Sequence, residues 1–122
     1  MISVEDWMQE IKALPGSAAV GMMLAHRGVV RGTTRAGESV QGMDLHVDRE
    51  RLEQVVSRAQ ELPGVFAVRA WVNEGRLAVG DDIMLVLVAG DVREHVFPAL
   101  QQLVTLIKTQ VDEHRQFFLN LV

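Results

Sequence analysis

The groups with which this sequence could do chemistry are mostly basic: two lysines, ten arginines and four histidines, with no cysteine. The lack of cysteine excludes a thiol nucleophile, a redox-active CxxC pair and a cysteine-ligated zinc site. The histidines form neither an HxxxH nor an HxH pair, and the adjacent carboxylates Asp81 and Asp82 diverge too much for acid–base catalysis. We therefore expect neither a metal ion nor a bound cofactor.

Lys108 and Arg115 are seven residues apart, in a segment whose apolar residues recur at helical spacing. Residues at this spacing stack on one helix face, so the two cations could line one side of a cleft if the helix extends to about His114. A partly buried lysine can act as a base or an amine nucleophile. A lysine at the edge of an apolar stripe can also simply extend its charged end into water, and both interpretations of Lys108 stay open here.

Arg31 and Arg93 lie where predicted elements end or begin. Arg31 follows the first long strand and precedes a loop rich in Gly and Thr, and Arg93 stands at the start of the last helix. Arginine side chains and helix N-termini both bind anions, so the two residues could converge on one anionic group, or they could belong to a solvated rim. His26 we expect to be a core or edge histidine with its hydrogen bonds satisfied.

Three helices are predicted from the spacing of the apolar residues. The first begins at Ser3, which resembles a capping-box residue with Asp6, and Pro15 ends it. Asp48 caps the second, which Pro63 ends. The third is capped by Asp91 or begins at Pro98, and it extends to about His114.

The predicted strands are residues 18–31, 40–47, 65–72, 77–79 and 83–89, and the tail 117–122 is either a last strand or a contact with a partner. Residues 18–31 and 83–89 are expected to be covered on both faces, and Gly28 indicates a bulge or a close backbone approach. The first two strands should form a long hairpin. The pattern predicts one α+β domain over residues 1–122, with a mainly antiparallel or mixed sheet and the helices packed on one side of it.

Composition restricts the class of partner and the compartment. The formal net charge is −4 and only 5% of the residues are aromatic, which argues against a nucleic-acid-binding protein. No apolar stretch is long enough to span a bilayer, and the N-terminus carries acids where a signal peptide carries bases. We expect a cytoplasmic protein that does not bind membranes.

Three stretches of the sequence resemble the large, catalytic subunit of molybdopterin synthase. Residues 28–31 (GVVR) with the following GTTRAGESV are similar to the family's glycine-x-Val-Arg strand end and its loop. Residues 75–86 (GRLAVGDDIMLV) are similar to its Gly-x-Leu-x-x-Gly-Asp-x-Ile-Val-x-Val segment. The third stretch is the last helix with Lys108, preceded by Arg93. Together they cover about residues 18–118.

The resemblance implies an α/β-hammerhead-like fold and an activity. The family transfers sulfur from the C-terminal thiocarboxylate of a ubiquitin-like small subunit to a cyclic pyranopterin monophosphate, and its large subunit is a homodimer. By position, Lys108 would be the principal catalytic lysine, Arg115 would replace a second catalytic lysine, and Arg31 and Arg93 would bind anionic groups of the substrate. The sulfur arrives on the partner, so the absence of cysteine fits this chemistry.

Four departures from the family pattern leave a second hypothesis open. Val92 stands where the family has a histidine, and Arg115 cannot lose a proton as a lysine can. Residues 44–50 (DLHVDRE) lack the family's tyrosine, and Val122 comes before its basic extension. The chain is therefore either a divergent sulfurtransferase subunit or a non-catalytic relative with a regulatory, assembly or ligand-binding role. The first hypothesis expects Arg31, Arg93, Lys108 and Arg115 to meet in one pocket.

Overall fold

The computed structural model describes the backbone of residues 2–118 and the side chains of residues 2–113. The fold is α+β, as the sequence predicts. In chain order the elements are α1 (Val4–Lys12), a 3-10 turn (Ser17–Ala19), β1 (Met22–Val29), β2 (Val40–Val47), α2 (Arg49–Gln60), β3 (Val65–Val72), β4 (Gly75–Ala78), β5 (Asp82–Gly90), α3 (Arg93–Leu106), a π-helical turn (Ile107–Val111) and β6 (Asp112–Phe118). Along the described residues, no helix combines the length and the apolar character needed to cross a membrane.

The described strands form two three-stranded antiparallel sheets, ordered β1-β5-β3 and β4-β2-β6. The predicted hairpin of the first two strands is therefore wrong, because β1 pairs with β5 while β2 pairs with β4 and β6. The segment between them carries the chain from one sheet to the other. The segment itself closes like a small hairpin: the Val40 N–H donates to the Gly32 carbonyl and the Thr34 N–H to the Glu38 carbonyl, each at 2.8 Å.

Strand β5 is the central strand of its sheet and is buried on both faces, as its continuous apolar sequence predicts. Met84, Val86 and Val88 pack in the core formed with α2 and α3. The alternate residues of β5 pack against Trp7 and Ile11 of α1. Helices thus cover both faces of this sheet, and the prediction that they lie on one side is wrong because α1 brings its own apolar stripe to the second face.

Strand β1 is shorter and more exposed than predicted. Residues 18–20 belong to the 3-10 turn and its end, and β1 is half-buried rather than covered on both faces because it lies at the edge of its sheet. The irregularity predicted at Gly28 is confirmed: Gly28 pairs with Met84 and Val29 with Asp82, which leaves Ile83 as the extra residue of a bulge.

Side chains cap two of the helices as predicted. The Ser3 Oγ accepts the Asp6 N–H at 3.3 Å, and the Asp48 Oδ1 accepts the Arg51 N–H at 3.0 Å. Helix α3 differs, since its cap residue is Val92 and Pro98 lies inside it. Asp91 instead accepts the N–H of Val92 at 2.6 Å and lies 2.8 Å from the His95 ring.

The end of α3 contradicts the expected helix to His114. The helix ends at Leu106, the π-helical turn follows, and β6 begins at Asp112. The chain leaves the helix because β6 pairs with β2 on the side that β4 does not occupy. This pairing forms a ladder of backbone hydrogen bonds between strands, which a longer helix would not make. The last strand predicted for residues 117–122 thus begins earlier, and residues 119–122 of that prediction lie outside the described residues.

Candidate functional site

A cavity of about 560 Å³ lies between the two sheets, and its size is that of a site for a small molecule. Its walls come from both sheets, from the loop that joins them and from the turn after α3. The lining residues are His26, Gly28, Val29, Arg31, Thr33, Thr34, Arg35, Met43, Leu45, Ile83, Met84, Lys108 and Asp112. The bulge between β1 and β5 therefore lies in the cavity wall, as bulges near functional sites often do.

The inner part of the cavity is mainly apolar. Met43 and Leu45 of β2 and Met84 of β5 are almost completely buried, and all three belong to the main core. The exposed polar side chains lie at the opening, on the loop after β1 and on the turn after α3. This arrangement suits a ligand with a flat or apolar body and a charged end.

Three cations reach the opening of the cavity: Arg31, Arg35 and Lys108. The structure thus brings together Arg31 and Lys108, which the sequence singled out, and adds Arg35, which it did not. All three residues are exposed, and the Arg31 Nη2 donates to the Thr33 Oγ1 at 3.4 Å. Among the described lining residues, Asp112 carries the acidic group. The balance of charge favours an anionic ligand.

The π-helical turn is what aims Lys108 at the cavity. Ile107 and Val111 are buried and fix the turn to the core, while Lys108 between them is exposed and lines the cavity wall. Turns of this wide kind are frequent at functional sites. Apolar spacing alone predicts a continuous helix here, so the sequence places Lys108 beside the core but does not give its direction.

His26 is the functional-site candidate that the sequence interpretation missed. It was expected to have its hydrogen bonds satisfied, but its Nε2 is buried without a hydrogen-bond partner among the described residues, and the ring lines the cavity. Burial, and then the positive charge of Lys108, lower the pKa of His26 below its ordinary value. The available signal was its position two residues before Gly28, on the same face of β1.

Arg93 does not line the cavity of its own chain. It lines a separate surface depression with Gly21 and Asp91, its side chain is 79% exposed, and it lies 3.7 Å from the Glu94 carboxylate. That depression adjoins the beginning of β1, whereas Arg31 follows the end of β1. At about 3.3 Å per residue, a strand of this length separates the two by roughly 25 Å. The expected meeting of four cations in one pocket of a single chain is therefore wrong.

Arg115 lies on β6 and not on a helix. Its register position is opposite Asp44 of β2, whose carboxylate binds Arg76 at 3.2 Å. The stacking of Lys108 and Arg115 on one helix face is thus wrong, because the helix ends before either residue. The side chain of Arg115 lies outside the part of the chain that the structure describes.

Comparison with known proteins identifies similar sequences and folds. A family model described as "MoaE protein" matches residues 1–110 of this chain. Molybdopterin synthase from Staphylococcus aureus has a similar structure, with a TM-score of 0.79, 18% identity, and coverage of 98% of this chain and 87% of that one. The MoaE protein from Burkholderia ambifaria is similar with a TM-score of 0.73 and 19% identity, and the match covers 96% of this chain and 83% of that one.

A third solved structure is a complex of subunits 1 and 2 of the molybdopterin-converting factor from Helicobacter pylori, with a TM-score of 0.68 and 13% identity over 98% of this chain and 86% of that one. At these identities the structural likeness establishes the fold alone. No sequence among the curated proteins matches this chain.

Proposed function

Since this chain belongs to the MoaE protein family, we propose that it is the large subunit of a molybdopterin synthase, which transfers sulfur from a thiocarboxylated small subunit to cyclic pyranopterin monophosphate. Membership of the family confirms the resemblance seen in the sequence and supports a role in molybdenum cofactor biosynthesis. The sulfur transfer, its substrate and the roles of individual residues are the parts that the proposal adds.

The observation that carries the proposal is the shared cavity of Arg31 and Lys108. The substrate is anionic through its phosphate, and two or three cations at the opening would bind that group. The apolar inner wall would hold the pterin rings away from water. Lys108, the only one of these cations on the turn after α3, is proposed as the principal catalytic lysine.

The proposed partner is a ubiquitin-like small subunit whose C-terminal tail enters the cavity. The Helicobacter pylori structure is a complex of two different subunits, which supports a partner of this kind for a chain with the same fold. The tail would bring the sulfur on its terminal thiocarboxylate. This chain then needs no thiol of its own, in agreement with its lack of cysteine.

Arg93 keeps a role in this proposal only if a second copy supplies it. The distance along β1 excludes Arg93 from the cavity of its own chain, but the homodimer implied by the resemblance would place another Arg93 elsewhere on the surface. We propose that this second Arg93 binds substrate at the cavity. Arg115 is proposed as a cation of the same site in place of a lysine.

A non-catalytic relative is the second candidate, and two observations favour it. Val92, at the position of the family's histidine, is an apolar side chain that is 47% exposed and offers no proton. Arg93 lies outside the cavity of its own chain. A protein of this kind would bind the small subunit or a small ligand without turnover.

Reconstitution separates the two candidates. The purified chain is mixed with a thiocarboxylated small subunit and cyclic pyranopterin monophosphate, and dithiolene product is measured beside a standard large subunit. We expect product, and we expect Lys108→Ala to abolish its formation. Lys12→Ala, which removes the second of the two lysines in the chain and lies on α1, should leave product formation unchanged. Binding of the small subunit without product would instead establish the non-catalytic role.

A further inference from the structure

His26 lies at the point where β1 separates the cavity from a shallow groove against α3. Its ring lines the cavity with Lys108 and Arg31, and on the other side it adjoins Leu24 and Leu100. The Nε2 atom is buried and has no hydrogen-bond partner among the described residues. Buried polar atoms in native proteins are almost always paired, and each exception calls for an explanation, such as a catalytic role or a bound water or ion.

The space beside the Nε2 atom on the Gly28 side is narrow. A Cβ at Gly28 would lie 3.7 Å from the His26 Nε2 and 3.3 Å from the Met84 Cγ. Because glycine has no side chain, the Met84 and Ile83 side chains, and no side chain at position 28, cover the imidazole from that direction. Ile83, the bulge residue without a register partner in β1, forms the neighbouring wall.

Burial and the charges that face His26 together decide its protonation state. Lys108 comes from the π-helical turn, Arg31 and Arg35 come from the loop after β1, and Asp112 comes from the start of β6. Burial and Lys108 both lower the pKa of His26, so the imidazole is neutral at pH 7. A neutral imidazole offers one N–H donor and one acceptor nitrogen, and it can pair with an uncharged polar group.

We propose that His26 is a substrate-contacting residue, whose Nε2 forms a hydrogen bond with an uncharged N–H or O–H group of a phosphate ester held by Arg31 and Lys108. The inference rests on the proposed function and adds a specificity-determining residue to it. The cations bind the phosphate, which many metabolites carry. His26 recognises the uncharged part of the ligand, which distinguishes one phosphate ester from another.

Because the cations and His26 contact different parts of the ligand, loss of His26 should change the binding of two probes differently. Inorganic phosphate contacts the cations alone, whereas dihydroneopterin monophosphate carries both a phosphate ester and the N–H and O–H groups of a pterin. A buried polar atom of a site discriminates against ligands that leave it unpaired. Loss of the imidazole should therefore weaken binding of the pterin ester and leave binding of phosphate nearly unchanged.

Calorimetric titration of the full chain with each probe tests the proposal. We expect His26→Phe to weaken binding of the pterin ester about tenfold and to change the affinity for phosphate less than about twofold. His26→Gln, whose amide oxygen can accept the same ligand hydrogen in place of Nε2, should recover most of the loss. Lys108→Ala should weaken both probes.

The outcomes distinguish this proposal from the proposed function. If the wild-type chain binds the pterin ester and both His26 variants bind it equally well, the role of His26 is overturned while the proposed function stands. If the wild-type chain binds neither probe, the proposed function fails, and the role of His26 fails with it. Nitrogen NMR of wild-type His26 needs no variant: the Nε2 resonance should shift with the pterin ester and not with phosphate, and equal shifts would overturn the proposal.

Discussion

His26 and Lys108 line the same cavity, and after burial the charge of Lys108 is the second cause that lowers the pKa of the His26 imidazole. One residue comes from the first strand and the other from the turn after the last helix, so only the folded chain brings them together. An electrostatic coupling of this kind is measurable without substrate, and it reports directly whether the cavity is assembled in solution.

Replacement of Lys108 by Gln should raise the pKa of His26. Removal of a nearby positive charge stabilises the imidazolium, but burial, the larger cause, remains, so the value should stay below the ordinary 6.5. The pKa is measured by following the His26 ring protons through an NMR titration. Lys12→Gln on α1 is the matched control and should leave the value unchanged; an equal rise in both variants would contradict the geometry.

The half-buried imidazole of His26 should also make the fold sensitive to mild acid. The unfolded chain binds a proton at His26 near pH 6.5, and the folded chain binds it only at a lower pH, so the unfolded state holds more protons in between. The contribution of neutral His26 to stability is complete above pH 6.5 and is lost as the pH falls from 6.5 through the lower pKa of the folded state.

His26→Gln removes this titration. We therefore expect its free energy of unfolding, measured with urea, to fall less steeply than that of the wild type as the pH is lowered below 6.5. The pKa values of Asp91 and Glu74 are lowered from 3.8 and 4.5 by hydrogen bonds, so these carboxylates affect stability in more acidic solution. Parallel curves for variant and wild type between pH 6.5 and 5 would show that His26 is not shielded from water.

Gly28→Ala tests whether the space beside His26 is part of the binding site. The added methyl group would lie in contact with the His26 Nε2 and close to the flexible Met84 side chain, in the cavity wall. We expect binding of the pterin ester to weaken about fivefold, with a fall of about 1 kcal/mol in the free energy of unfolding.

Gly32→Ala is the control for that experiment. Its added Cβ would make an ordinary contact of 3.5 Å with Val79, which does not line the cavity. Calorimetry with the pterin ester and urea unfolding are measured on both variants. If both bind the ligand as the wild type does, the ligand does not approach Gly28.

The sequence predicted much of the local structure and little of the long-range arrangement. The limits of β2 and β3 agree with the prediction because turn residues bound a clear alternation or apolar run, and β5 is central because its residues are apolar throughout. The predicted pairing of β1 with β2 was wrong, because a Gly-rich loop between two strands is compatible both with a hairpin and with a crossing from one sheet to the other.

The site was predicted in part for a similar reason. Arg31 and Lys108 were singled out by their positions and again by the resemblance, and they do share a cavity, whereas Arg93 does not line it. The orientation of Lys108 depends on a π-helical turn that has no signal in the apolar spacing. His26 was misjudged because whether a histidine is satisfied depends on groups that only the fold brings near it.

The last prediction concerns Arg93 and the second copy. If two copies form a symmetric dimer in which each cavity uses Lys108 of one chain and Arg93 of the other, Lys108→Ala and Arg93→Ala should each be inactive alone in the reconstituted sulfur transfer. In a mixed dimer of the two variants, one cavity carries both changes and the other carries neither. Random mixing would give half mixed dimers with one intact cavity each, or about a quarter of the wild-type activity.

A site built within one chain gives no recovery on mixing, because every chain then carries one of the two changes. The mixture is made by unfolding and refolding the two variants together, with the same treatment of each variant alone as control. Full activity of Arg93→Ala by itself would instead remove Arg93 from the site. Recovery of about a quarter of the wild-type activity would show that Arg93 of one chain acts in the reaction at Lys108 of the other chain.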